Sequence, residues 1–201
     1  MSADLEALLT RIAACRVCAG RMEPEPRPVV QAARGARILI VGQAPGAKVH
    51  ASGVPWDDAS GARLRDWLGL SEAVFHDPTQ VAMAPMGFCY PGKGASGDRP
   101  PRPECAPLWQ APFRAALPDI RLTLLIGTYA QAWHLPRTPG ADMTARVRAF
   151  RDLLPDRMPL PHPSWRVTLW MRKNPWFEAE ALPAVRAAVA AALAGPPSAG
   201  P

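Results

Sequence analysis

The sequence predicts an α/β fold, a three-layer α/β/α sandwich with a mostly parallel central sheet. Two observations carry this. Ile38 to Val41, Val81 to Met86 and Leu122 to Ile126 are short apolar runs ended by Gly42, by Pro85 with Gly87, and by Gly127, which is how buried strands begin and stop. Segments of helical spacing lie between these runs, and strands joined through helices return in parallel, with helices covering both faces of the sheet.

In chain order, residues 3–14 carry Leu5, Leu8, Leu9 and Ile12 on one helical stripe, so a first helix is expected to deliver Cys15 and Cys18 at its end. Residues 20–35 are polar and proline-rich and read as a surface excursion. The strand at 38–41 leads into a long loop and then a helix near 60–68 through Leu64, Trp67 and Leu68, which Asp58 or Ser60 can cap. Beyond the strand candidate at 81–86, residues 90–103 hold too much Gly, Pro and Arg for anything but loop. Helices are expected at 105–117, 128–134 and 143–154, with the clearest strand, 122–126, after the first of them and a short extended piece, Met158-Pro159-Leu160, after the last. A final helix is expected from Asn174 as its cap, with Pro175 in the first turn and Leu182, Val185, Val189 and Leu193 as its apolar stripe. One domain is expected over residues 1–194, and a disordered tail over 195–201.

A formal net charge of +6 and a pI of about 9.7 favour an acidic partner, nucleic acid ahead of a membrane because no basic amphipathic helix stands out. No apolar stretch approaches the roughly 18 residues that cross a bilayer, and no basic-then-apolar leader opens the chain, so a cytoplasmic protein is expected. A monomer is the working expectation, although no feature of the sequence indicates the oligomeric state. In that reducing compartment four cysteines read as metal ligands or plain thiols rather than disulfides.

The stretch best suited to hold a site begins at Gly42. Gly42, Gly46 and Gly53 with Pro45 and Pro55 build the long loop at the carboxyl end of the first strand, where parallel α/β sheets place their ligands. Gly42-Gln43-Ala44-Pro45-Gly46 followed by Gly53-Val54-Pro55-Trp56 resembles the uracil-DNA glycosylase superfamily, in which a Gly-x-x-Pro-Gly turn precedes a Gly-x-Pro-aromatic segment. The resemblance implies the same fold, a base pocket lined by Gly42, Gln43 and Gly46, and Trp56 stacked on the flipped base. His162-Pro163-Ser164 resembles the last motif of that superfamily. It implies that His162 bonds the O2 side of uracil as negative charge grows there, and that Ser164, Trp165 and Arg166 meet DNA, Trp165 as a wedge and Arg166 at a phosphate. Arg172 and Lys173 are near enough in sequence to add phosphate contacts. Leu125 to Gln131 resembles the third core segment, which is scaffolding.

Cys15 and Cys18 supply two sulfurs from one turn, whereas Cys89 and Cys105, with fifteen residues between them, complete a set of four only if the fold gathers them. Spacing permits zinc. The layout resembles the iron-sulfur branch of the superfamily, which implies that Cys15, Cys18, Cys89 and Cys105 hold a 4Fe-4S cluster of structural role, tying the first helix to the loop at 89–105.

The pattern departs from its relatives at the catalytic acid. Branches that carry an acid in the first motif would place it at Gln43 or Ala44, and neither can ionise. Asp58-Ala59-Ser60-Gly61 reproduces another branch's Asp before Ser-Gly, so Asp58 is the candidate carboxylate, with Asp57 beside it and helix capping as the plain alternative. Residues 84–88 also lack the asparagine with which relatives read the base edge, leaving main-chain groups, Gln43 or another side chain to do so. Lys48 and His50 lie in the first-motif loop without the basic insertion that accompanies a histidine nucleophile. The function expected is monofunctional excision of uracil from DNA, leaving an abasic site, with Asp58 and His162 on either side of the broken bond. The alternatives are excision of another deaminated base such as hypoxanthine, and DNA binding without catalysis.

Overall fold

The computed structural model describes residues 5–95, 97–137 and 140–194. The expected disordered tail at 195–201 lies outside them. Helix α1 (Leu5–Ala13) precedes β1 (Ile38–Val41), α2 (Ala47–Ser52), α3 (Ala59–Leu68), α4 (Glu72–Phe75) and β2 (Val81–Met83). A hairpin of two-residue strands, β3 (Lys93–Gly94) and β4 (Gly97–Asp98), then α5 (Cys105–Ala115), β5 (Leu122–Ile126), α6 (Gly127–His134) and α7 (Met143–Arg148) follow. The chain ends through β6 (Arg157–Leu160), α8 (Val167–Lys173), a π-helical turn at Phe177–Ala181, and α9 (Leu182–Ala194).

The central sheet has strand order β2-β1-β5-β6, and each neighbouring pair is parallel. Side chains alternate across it as strand geometry requires. Ile38 and Ile40 point into a core with Leu64 and Trp67 of α3 and Val185 and Val189 of α9. Leu39 and Val41 point into a second core with Leu5 and Leu8 of α1 and Trp109 and Phe113 of α5. Two apolar cores on opposite faces of one sheet make the three layers. Phe75, Phe113, Phe150 and Phe177 are fully buried, each contributing roughly 1.5–3 kcal/mol.

Several elements differ from the sequence expectation. The stretch at 20–35 is not a mere surface excursion: Gln31 pairs with Met83 through N–H···O bonds of 3.0 and 2.7 Å, and Met22 and Val29 are buried. It covers the outer edge of β2, an edge that would otherwise present unpaired amides. Part of the long loop after Gly42 is the helix α2, bracketed by Gly46 and by Gly53 at φ 76°, and Arg27 donates to the carbonyls of His50 and Ala51 at its end. Strand β2 stops at Met83 because Pro85 has no N–H, yet Ala84, Met86 and Gly87 still bond the carbonyls of Ile40, Gly42 and Gln43. Residues 90–103 include the small hairpin.

The helix expected over 143–154 ends at Arg148 and tightens into a 3-10 turn at Phe150–Asp152 before the chain enters β6. Helix α8 was not foreseen. Asn174 closes α8 rather than capping α9: its amide donates to Trp170 O at 2.9 Å and its oxygen accepts from the Trp176 indole at 3.1 Å. Phe177 packs edge to face with Trp67 at 5.1 Å and with Trp170 at 5.3 Å between centroids, fixing α8 against the core. Among the described residues no helix is long and apolar enough to cross a membrane.

Candidate active site

Because the four strands are parallel, their carboxyl ends share one edge of the sheet. The loops leaving β1, β2 and β6 meet there around a cavity of about 220 Å³, below the roughly 300–1,000 Å³ of sites for drug-sized ligands. The chain runs from β1 outward to β2 and then back across to β5, so β1 lies at the reversal of strand order, where such sheets hold their ligands. Gly42, Gln43, Gly46, Trp56, Asp58 and His162 all line this cavity.

Trp56 is the sole non-glycine residue at positive φ (58°) among the described residues. A bulky side chain there costs about 1–3 kcal/mol and persists only where its surroundings fix it. Two glycines do so. A Cβ on Gly61 would fall 1.8 Å from the Trp56 carbonyl oxygen, and one on Gly42 would fall 2.9 Å from the indole Cζ2. Trp56 thus dictates glycine on either side of itself, which explains Gly61 and the first glycine of the loop, Gly42.

The imidazole of His162 lies 5.8 Å from the Trp56 ring, centroid to centroid, with 33° between their planes. Behind it stands Gly127 at φ 82°, where a Cβ would come 3.5 Å from His162 Cβ. The buried Gln131 donates to Leu160 O at 2.9 Å, fixing the end of β6 from which His162 projects. Burial lowers the His162 pKa and the nearby Asp58 carboxylate opposes that shift. The ring is therefore neutral near pH 7, with one N–H donor and one acceptor nitrogen.

Asp58 divides its two oxygens. Oδ1 accepts the Gly61 N–H at 2.8 Å and caps α3, while Oδ2 lies 3.8 Å from where a Cβ of Gly46 would stand, on the cavity side. Asp57 is exposed and does not line the cavity. Ser164 lines it too, its carbonyl accepting from Arg63 of α3 at 2.7 Å. Trp165 and Arg166 stand outside the cavity. Trp165 is 77% exposed, and the Arg166 guanidinium lies 5.3 Å from its ring centroid. Lys48 is exposed, and neither it nor His50 lines the cavity.

Sequence reasoning missed three contributors. Arg63 and Gln131 act through backbone carbonyls remote in sequence, and Gln131 fell in a segment read only as scaffold. Asp98, on β4, lines the cavity and accepts from the Tyr90 hydroxyl at 3.3 Å. No local signal marks it. The carbonyls of Gly42 and Gln43, candidates for reading a base edge, are already engaged by Met86 and Gly87 N–H at 2.9 Å.

A family model described as the Uracil DNA glycosylase superfamily matches residues 29–186. The chain belongs to the uracil DNA glycosylase superfamily. The match includes every residue that lines the cavity. Superfamily membership carries DNA as the substrate and glycosylase chemistry, cleavage of the bond between a base and its sugar.

Cys15 and Cys18 precede the span matched to the superfamily. They nevertheless line one pocket with Cys89 and Cys105, walled by Phe88, Trp109 and other apolar side chains. Burial, reinforced by the neighbouring thiols, pushes Cys89 up to about 12 and Cys105 up to about 11. Phe88 N–H donates to Cys105 Sγ at 3.3 Å. Among the described residues no three His, Cys, Asp or Glu side chains form a ready-made metal cage. Even so, four sulfurs from three remote segments converging on a partly buried apolar pocket match the donor set of a thiolate-bound cluster or metal, whose positive charge would reverse the thiols' reluctance to ionise.

Proposed function

We propose that this chain excises uracil from DNA, with His162 and Asp58 as its catalytic pair. The reading rests on one observation: the Trp56 ring, the His162 ring and the free oxygen of Asp58 share a single cavity at the carboxyl edge of the sheet. A base stacked in duplex DNA must be extruded to enter such a cavity, at a cost of a few kcal/mol that pocket contacts offset. Trp56 supplies the stacking surface. As the N-glycosidic bond breaks, its electron pair goes to the base and positive charge grows on the sugar. The His162 N–H donates to the O2 side of the uracil anion, a role that suits a neutral imidazole, and Asp58 Oδ2 stabilises the cation and orients water towards C1′. Ser164, Trp165 and Arg166 meet the DNA flanking the vacated position.

Cys15, Cys18, Cys89 and Cys105 would hold a 4Fe-4S cluster, with zinc as the alternative occupant. When bound it supplies a cross-link, fastening the end of α1 to the segment that leads from Cys89 to Cys105.

The deciding experiment measures base release from single- and double-stranded oligonucleotides containing uracil, with His162→Ala and Asp58→Asn beside wild type. Wild-type release of uracil with both variants impaired is expected. Release of hypoxanthine but not uracil would reassign the base, and DNA binding without release of either would make the chain a binding protein of this fold.

A further inference from the structure

Gly46 leaves open a space that two carboxylates face. A Cβ at this position would lie 3.8 Å from Asp58 Oδ2 and 3.8 Å from Asp98 Oδ2, so the two oxygens are no farther apart than twice that distance. The other oxygen of each is occupied: Asp58 Oδ1 by the Gly61 N–H and Asp98 Oδ1 by the Tyr90 hydroxyl. Each aspartate thus keeps one oxygen for the cavity, and both belong to its lining. They come from separate elements, Asp58 from the start of α3 and Asp98 from the hairpin within residues 90–103.

We propose that Asp98 is the second carboxylate of the catalytic site, sharing with Asp58 the water that attacks the sugar, and that Tyr90 is the residue that positions it. The proposal rests on the glycosylase reading above. One carboxylate cannot easily both lie against a developing cation and accept a proton from water. Inverting hydrolases acting on sugars give the activation of water a carboxylate of its own, set about 6.5–9.5 Å from the other carboxyl group so that the water fits. Here the C1′–N1 bond breaks with its electron pair leaving on the base, and the water oxygen bonds to C1′. The water's proton passes to Asp98 Oδ2 and from there to solvent, while the base anion takes a proton from solvent on release. Asp58, nearer the α3 end of the cavity, stabilises the cation. Asp98 stands at the open mouth, where DNA would close over it.

The test is single-turnover release of base from a uracil-containing duplex, measured beside affinity for the abasic product. Asp98→Asn keeps the size of the side chain and is expected to slow the chemical step by about 10²-fold. Product affinity is expected to hold or tighten, since a negative charge near phosphates is removed. Tyr90→Phe is expected to slow the step less, and the Tyr90→Phe/Asp98→Asn double variant no further than Asp98→Asn alone, because Tyr90 acts through Asp98. Gly46→Ala is a separate probe. Gly46 has φ −83°, which alanine adopts freely, and no atom nearer than 3.8 Å to the new methyl. The variant is expected to fold normally, fill the space for water and lose the chemical step. Asp98→Asn within twofold of wild type would overturn the role of Asp98 while leaving uracil excision intact, as would parallel losses of rate and product affinity. A wild-type protein that releases no base would instead bring down the glycosylase reading and this inference with it.

Discussion

The indole of Trp56 presses on the bare Cα of Gly42 and faces the imidazole of His162, 5.8 Å between ring centroids. Trp56 stands between α2 and α3 in the connection after β1, and His162 just after β6; their rings converge because β1, β5 and β6 are parallel and end at the same edge. Gly42→Ala would place a methyl 2.9 Å from the indole Cζ2 and push the ring into the cavity. Base release is expected to fall by about 10²-fold, the effect of a displacement near 1 Å in a catalytic arrangement. A shift in tryptophan fluorescence with unchanged far-ultraviolet circular dichroism would accompany it.

Asp58 caps α3 and faces the cavity, and two substitutions separate these jobs. Asparagine caps as well as aspartate, so Asp58→Asn is expected to keep thermal stability while base release drops about 10²-fold. Asp58→Ala is expected to lose a similar rate and about 1 kcal/mol of stability as well. Equal rates for Asp58→Asn and wild type would leave Asp58 as a helix cap alone.

His162 binds its proton less readily than an ordinary histidine at 6.5, chiefly because it is buried. As pH falls, the unfolded chain takes up this proton before the folded one. The stability contributed is therefore complete above pH 6.5 and is lost as pH drops from there through the lower folded pKa. His162→Gln is expected to flatten part of that decline. The rest persists, because His76 and His134 are shifted in the same direction, again mainly by burial. Chemical denaturation at pH values on either side of 6.5 provides the comparison.

The segment between Cys89 and Cys105 carries Asp98 to the cavity and Tyr90 to Asp98, so events at the cysteines are expected to reach the cavity. Protein isolated without oxygen is expected to contain iron and acid-labile sulfide and to absorb in the visible through thiolate-to-iron charge transfer. Cys105→Ser is expected to lose that absorbance and to reduce base release although Cys105 does not line the catalytic cavity. Zinc without sulfide in the isolated protein would replace the cluster with a single metal.

Trp165 is 77% exposed, with the Arg166 guanidinium 5.3 Å from its ring centroid. Trp165→Ala is expected to leave stability within about 0.5 kcal/mol of wild type. If the ring wedges between bases, release from duplex DNA falls roughly tenfold more than release from single strands, which have no stack to open. Equal losses on both substrates would assign Trp165 to general contact with DNA.

The sequence determined the layers and most of the cavity wall. Its apolar runs and glycine stops fixed β1 and β5, and the paired spellings around Gly42 and His162 named the two loops that meet, because such signals lie within a few neighbouring residues. What it left out is set by contacts between residues far apart in the chain. Asn174 bonds Trp170 and Trp176 rather than an open helix end, and Gln31, within the stretch 20–35, pairs with Met83 of the edge strand β2. Tertiary structure alone decided that Asp58 turns one oxygen inward while Asp57 stays outside, that Arg63 and Gln131 hold the His162 loop from two sides, and that Asp98 faces Asp58 across Gly46. The direction of a loop side chain depends on what packs behind it, and that is decided only when separate segments close on one another.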